Sequence, residues 1–247
     1  MEKLLIIFSF IFFLFGCERG NPNDGDKSNT VPELKQIAVY NTAVPEPSGL
    51  AWNTIKNTLF TVSDANSTVY EIDFTGKILN SFIISSSDLE GIAFTPNCDT
   101  FYVTEETNQK ITKYLLNGTK LSSFSVNVAT NPKNALEGVT VDENNHVFVL
   151  NEKSPCMLLE FVNGKEIYRK EMNYSSDCSD IFYEYSTRAI WMVSDESKSV
   201  MKLSRSGELL ARYSIPFVKG EGIVVINDRI YIFNDSDNKL YVFEKPQ

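Results

Sequence analysis

Two sets of oxygen-bearing side chains recur along this chain at a regular interval. The first precedes an apolar run: Glu90-Gly91, Glu137-Gly138 and Glu221-Gly222, with Ser48-Gly49 and Asp180-Ile181 on the same beat. The second closes an apolar run with a polar or acidic pair: Ser63-Asp64, Glu105-Glu106, Asn151-Glu152, Ser194-Asp195 and Asn234-Asp235. Carboxylates that a repeat brings together disfavour one another's charge unless a proton or a cation intervenes. A loose ring of hard oxygen donors suits Ca²⁺ better than Mg²⁺, which demands near-octahedral geometry and keeps its water. The metal-ligating candidates are therefore Glu90, Glu105, Glu106, Glu137, Glu152 and Glu221. Their counterparts Asp64, Asp180, Asp195 and Asp235 are candidates for ligand contact. The plainer reading is that these acids cap strand ends and keep a surface solvated. Lys110, Lys153, Lys198 and Lys239 follow the second set at a short distance. Lysines around a cation would suit an anionic ligand, although exposed loops carry lysine in any case.

Other chemistries have little to work with. The single histidine, His146, lies in the turn Glu143-Asn144-Asn145-His146, at the opposite end of the strands from the acids. A His-based triad or a multi-His metal site among the acids is thereby excluded. No Cys-x-x-Cys pair and no phosphate-cradling glycine loop is present. Asp235-Ser236-Asp237-Asn238 matches the start of an EF-hand loop but lacks its glycine and distal glutamate. A formal net charge of −9 without a basic block argues against nucleic acid and against electrostatic docking to anionic lipid. Cys156 and Cys178 are placed either to pair or to remain as two buried thiols, and Cys98 is left unpaired.

The elements that must position these residues follow from the same beat. From Ser48 through Glu90, Glu137 and Asp180 to Glu221 the steps are 42, 47, 43 and 41 residues. Each step holds four short apolar runs, the last two separated by a turn at Gly76, Gly118, Gly164 or Gly207. Four antiparallel strands in such a repeat is the size of a propeller blade, and no long segment has the 3.6-residue period of a helix. The expectation is an all-β fold, a single five-bladed β-propeller over residues 34–247. The fifth repeat stops after three strands, Leu240–Phe243 being its last. A spare strand, Leu34–Tyr40, lies ahead of the first repeat and is expected to pair into the last blade, sealing the ring and its edges. In a propeller every innermost strand starts, and every second strand ends, at one face. The repeated carboxylates therefore ring one mouth of the central channel.

Ahead of the propeller, Lys3 and the apolar run Leu4–Phe15 have the length of a signal-peptide core rather than of a membrane span. Leu14-Phe15-Gly16-Cys17 resembles a bacterial lipobox, which gives residues 1–16 as a lipoprotein signal peptide and Cys17 as a lipidated N-terminus. Residues 17–33, rich in Asn, Asp, Gly, Ser and Pro, read as a flexible tether. The expected setting is the cell envelope, with the membrane reached through the lipid.

The segments Glu46-Pro47-Ser48-Gly49-Leu50-Ala51, Leu59–Asp64, Val69–Asp73, Asp88–Ala93 and Val103–Lys110 follow one another as in the SdiA-regulated (YjiK-like) family, which the chain resembles. The resemblance implies a bacterial membrane-associated five-bladed propeller with a calcium site and a ligand surface round the central cavity. More weakly, the pairing of Glu-Gly with a following acidic pair is similar to calcium-dependent phytase propellers. The resulting expectation is a non-catalytic, calcium-binding propeller that receives a small-molecule or protein ligand at the mouth. The alternative is a calcium-dependent hydrolase, phosphatase- or lactonase-like.

Overall fold

The computed structural model describes residues 30–129 and 131–247, so the expected signal peptide and the lipidation at Cys17 lie outside the described residues. From Val31 onward the chain forms one compact unit. After β1 (Gln36–Asn41) come β2 (Pro47–Asn53), β3 (Thr58–Ser63), β4 (Asn66–Ile72) and β5 (Ile78–Ile83). A second set is β6 (Leu89–Phe94), β7 (Thr100–Glu105), β8 (Lys110–Leu115) and β9 (Lys120–Ser125). The third is β10 (Leu136–Val141), β11 (Val147–Asn151), β12 (Met157–Val162) and β13 (Lys165–Glu171). The fourth is β14 (Asp180–Glu184), β15 (Ala189–Ser194), β16 (Ser199–Leu203) and β17 (Leu209–Ser214). The fifth is β18 (Gly220–Ile226), β19 (Arg229–Asn234) and β20 (Lys239–Glu244). Each set is a four-stranded antiparallel sheet in sequence order, and β1 supplies the fourth strand of the last. The molecule is thus the expected five-bladed propeller.

Closure occurs as the missing strand required. β1 pairs antiparallel with β20 from Gln36 opposite Phe243 to Asn41 opposite Lys239. The tether ends earlier than residue 33, because Pro32, Glu33 and Leu34 are bound to Ser214 of the fourth blade's outer strand.

Burial falls from the axis outward. Innermost β10 and second strands such as β15 are almost wholly buried, while outer β9 and β13 are almost wholly exposed. The core lies between blades, where the apolar faces of adjoining sheets meet, as in the cluster of Phe60, Val62, Leu89, Ile92 and Phe101. Blades approach most closely at their first strands, where glycine is required. A Cβ on Gly91 would stand 2.8 Å from the Glu137 carbonyl oxygen, and one on Gly49 2.7 Å from that of Glu90.

Candidate metal and ligand basin

Four of the five first strands carry a bulge at their start, β14 being regular, and the bulge aims the acids. Leu89 pairs with Glu105 and Ile92 with Val103, leaving Glu90 and Gly91 as the irregular step. The same shift occurs at Leu136/Val139, Gly220/Gly222 and Pro47/Leu50. The bulge turns Ser48, Glu90, Glu137 and Glu221 into the channel mouth, re-aiming side chains as bulges do.

The mouth is a polar basin of about 270 Å³. Its acids are Glu46, Asp64, Glu90, Glu106, Glu137, Glu152, Asp177, Asp195, Glu196, Glu221 and Asp235, joined by Ser48 and Ser179. Three lysines line it, Lys133, Lys153 and Lys219. Two lysines already have partners. Lys153 Nζ is 2.7 Å from Glu152 and 3.2 Å from Glu196, and Lys219 Nζ is 3.4 Å from Asp195 and 3.6 Å from Glu221. The opposite end of the channel is an apolar cavity of only about 40 Å³, lined by Leu50, Ile92, Val139, Ile181 and aromatic rings. Polar chemistry therefore belongs to the acidic end.

Within the basin, carboxylate oxygens of Glu106, Glu137 and Glu152 all lie within 4.8 Å of one another. So do those of Asp64, Asp88 and Glu90. Burial, followed by repulsion from Glu90, Glu221, Glu152 and Glu106, pushes the Glu137 carboxyl well above the usual range. Glu90 is raised likewise, by burial and then by Asp64, Glu106 and Glu221. Burial lifts Glu106 to about 7 against the donated Ala135 N–H, with Asp88 and Glu152 adding to the rise. Glu221 is also lifted to about 7 by burial, although Lys219 opposes it. Such a set is short of positive charge and holds either protons or a cation.

Of the expected site residues, Glu90, Glu106, Glu137, Glu152, Glu221, Asp64, Asp195, Asp235 and Lys153 line the basin. Three do not. Glu105 is 4% exposed and faces into the blade, accepting hydrogen bonds from Ser86 Oγ at 2.6 Å, Thr112 Oγ1 at 2.7 Å and Asn108 Nδ2 at 3.0 Å. It occupies the place of Ser63, Asn151 and Asn234, which also close their second strands, and Glu106 is the basin acid of that blade. Lys110 opposite Glu105 begins β8, one strand further from the axis, and is not at the basin. Asp180 is fully buried and stands where other blades have glycine, so Ser179 takes the ring position. Its Oδ2 accepts from Leu50 N at 3.1 Å and Ile223 N at 2.9 Å, tying the fourth blade to the first and fifth across the centre. Its Oδ1 has no partner and packs against Gly138.

Sequence reasoning missed Glu46, Asp88, Asp177, Lys219, Lys133 and Glu196. The first four share one signal, a place two residues before the ring position in Glu46-Pro47-Ser48, Asp88-Leu89-Glu90, Asp177-Cys178-Ser179 and Lys219-Gly220-Glu221.

The remaining expectations fall away from the basin. His146 belongs to a cluster at the other end of β10, with Nδ1 2.6 Å from Glu160. Arg205 binds Asp142 at 2.8 Å and Glu160 at 2.5 Å there. Cys156 and Cys178 are joined as a disulfide with Cα atoms 6.0 Å apart, and Cys98 is a buried free thiol.

A family model described as SdiA-regulated matches residues 33–173 and again 164–247, which together span the propeller. Among solved structures, Myxococcus xanthus glutaminyl cyclase is similar at 11% identity and TM-score 0.67, over 87% of this chain and 100% of that one. A streptogramin B lyase is similar at 16% identity and TM-score 0.53, over 85% and 73%. A chain of a nidogen/laminin complex is similar at 12% identity and TM-score 0.60, over 80% and 75%. At these identities the likenesses speak for the fold alone.

Proposed function

The chain belongs to the SdiA-regulated family, and we propose that it is a calcium-binding propeller that presents a ligand- or partner-binding surface around its acidic basin. The reading rests on one observation, the convergence of Glu106, Glu137 and Glu152 within 4.8 Å in a half-buried setting that raises the Glu106 and Glu137 carboxyls. The donor set fits the ion. The ligating groups on offer are hard carboxylate oxygens, with no imidazole or thiolate among the lining residues, and Lys153 would have to yield its place at Glu152 to the ion. Glu106, Glu137 and Glu152 would hold the ion, with water filling the rest of its coordination in a basin this open. Bound calcium would supply positive charge for an oxygen-bearing ligand. Lys153, Lys133 and Lys219 stand on the same surface as further contacts.

The role is binding rather than catalysis. The lone histidine is engaged at the far end of the strands, and Lys153 and Lys219 are held in ion pairs. Attachment to the cell envelope through lipidated Cys17 is part of the proposal, and incorporation of a labelled fatty acid lost in Cys17→Ser tests it. For the site, melting is followed in chelator and in millimolar Ca²⁺. Calcium should raise the melting temperature of the wild type, and raise that of Glu137→Gln by clearly less. A wild-type melting temperature indifferent to Ca²⁺ contradicts the proposal, and chelator-sensitive hydrolysis of phosphate esters or lactones would replace it with the hydrolase reading.

A further inference from the structure

The far end of the channel is built from what the first strands carry beyond the basin. Two residues after the ring positions, Leu50, Ile92, Val139 and Ile181 face the apolar cavity and not the basin. Each is 1% exposed. At the next position Ala51, Ala93 and Thr140 are small, and each pairs with an aromatic residue of its second strand, Phe60, Tyr102 or Phe148. The fourth blade has Phe182 in this register instead, opposite Trp191. Three small side chains thus leave room that the fourth blade's ring helps to enclose.

A second hollow of about 230 Å³ adjoins this cavity, and Trp52, Phe182 and Tyr185 line both. Most polar side chains around them have partners, and one buried group does not. Tyr185 Oη donates to the Val141 carbonyl at 3.1 Å, and Tyr183 Oη to Glu143 at 2.7 Å. Thr54 Oγ1 lies 3.3 Å from Cys98 Sγ. Glu184 accepts from Trp191 Nε1 at 2.9 Å and is ion-paired with Lys245, so neither hollow is lined by an unpaired charge. The exception is Trp52, whose indole N–H is buried and has no acceptor among the described residues. A buried donor without a partner is destabilising, and a ligand oxygen would relieve it.

We propose that the far end of the channel binds a small neutral molecule with an aromatic or alicyclic body and one acceptor oxygen, such as a ketone, ester or ether. Pockets with apolar walls and a few placed polar groups hold ligands of this kind. The body lies against Trp52, Phe94, Phe182 and Tyr185, whose rings offer edge and offset stacking. Its inner edge enters the cavity of about 40 Å³, several times the space that one water needs. The oxygen accepts the Trp52 N–H. No cation and no basin residue takes part, so this site stands or falls apart from the calcium reading.

The test titrates the whole nitrogen-labelled protein with acetophenone, and with ethylbenzene as the counterpart that lacks the oxygen. Trp52 and Trp191 are the two tryptophans, so the indole N–H region of the NMR spectrum holds two signals. Millimolar acetophenone should move the Trp52 signal saturably and move that of Trp191 less, since the latter N–H already donates to Glu184. Trp52→Phe keeps a ring and removes the donor. It should weaken acetophenone about three- to tenfold more than ethylbenzene, the worth of one net hydrogen bond. A Trp52 signal that acetophenone does not move overturns the proposal, and this result needs no variant to fold. Equal losses of both compounds in Trp52→Phe, or shifts confined to basin residues, overturn it as well.

Discussion

Asp180 offers the sharpest test of how the ring is held, because one side chain joins three blades. In the other blades the equivalent place is Gly49, Gly91, Gly138 or Gly222, at which no Cβ fits. Here the carboxylate instead crosses the centre and accepts two backbone N–H groups, from Leu50 and Ile223. Asp180→Ala deprives both buried donors of their acceptor. A buried donor left unpaired costs about 1–3 kcal/mol, so the pair should cost about 2–6 kcal/mol. Asp180→Asn retains an oxygen for the two donors and should lose much less. Burial also pushes the Asp180 carboxyl well above the usual range, so a neutral amide replaces it at small cost. The assay is urea unfolding, comparing midpoints at constant slope. Asp180→Ala within 0.5 kcal/mol of wild type, a bound of the size expected for inconsequential surface changes, would refute the account. So would an Asp180→Asn as destabilised as Asp180→Ala.

Further expectations follow from the same geometry. In chelator, stability should fall as pH rises from about 4.5 to about 7, because the folded Glu106 and Glu221 carboxyls are raised and hold protons that the unfolded chain has released. Saturating Ca²⁺ should reverse that slope, and a melting temperature that climbs with pH in chelator would contradict it. Arg205→Met should cost about 3 kcal/mol, since it strands the buried Asp142 and Glu160 carboxylates, and chemical denaturation checks this. Gly91→Ala should lower the melting temperature by several degrees, because its Cβ would meet the Glu137 carbonyl oxygen at 2.8 Å. Cys178→Ser should cost about 3 kcal/mol in a non-reducing denaturation series, given a bridge spanning 22 residues.

The architecture was readable because it is written five times over. Strand number, blade count and the pairing of β1 with β20 all follow from a repeat that ends one strand short. The site was readable only to within one residue. In a strand, a slip of one residue moves a side chain to the opposite face. Counting Glu105 together with Glu106 at the mouth was such a slip, and so was aligning Asp180 rather than Ser179 with Glu137. The bulge at the start of four first strands conceals the true register, since Leu89 and not Glu90 faces Glu105. Asp88 and Lys219 escaped notice because their side chains have nothing in common. Their shared place two residues before a ring position, and the carbonyl beneath each that takes an N–H from a basin acid, reveal the equivalence.

The central claim is that Glu106, Glu137 and Glu152 hold calcium at the channel mouth. A crystal structure grown in Ca²⁺ tests it most directly. The account predicts an ion bonded to all three carboxylates at about 2.3–2.6 Å, with water completing its shell. A calcium-saturated crystal with no ion among these three residues, or with their carboxylates turned away from one another, would contradict it.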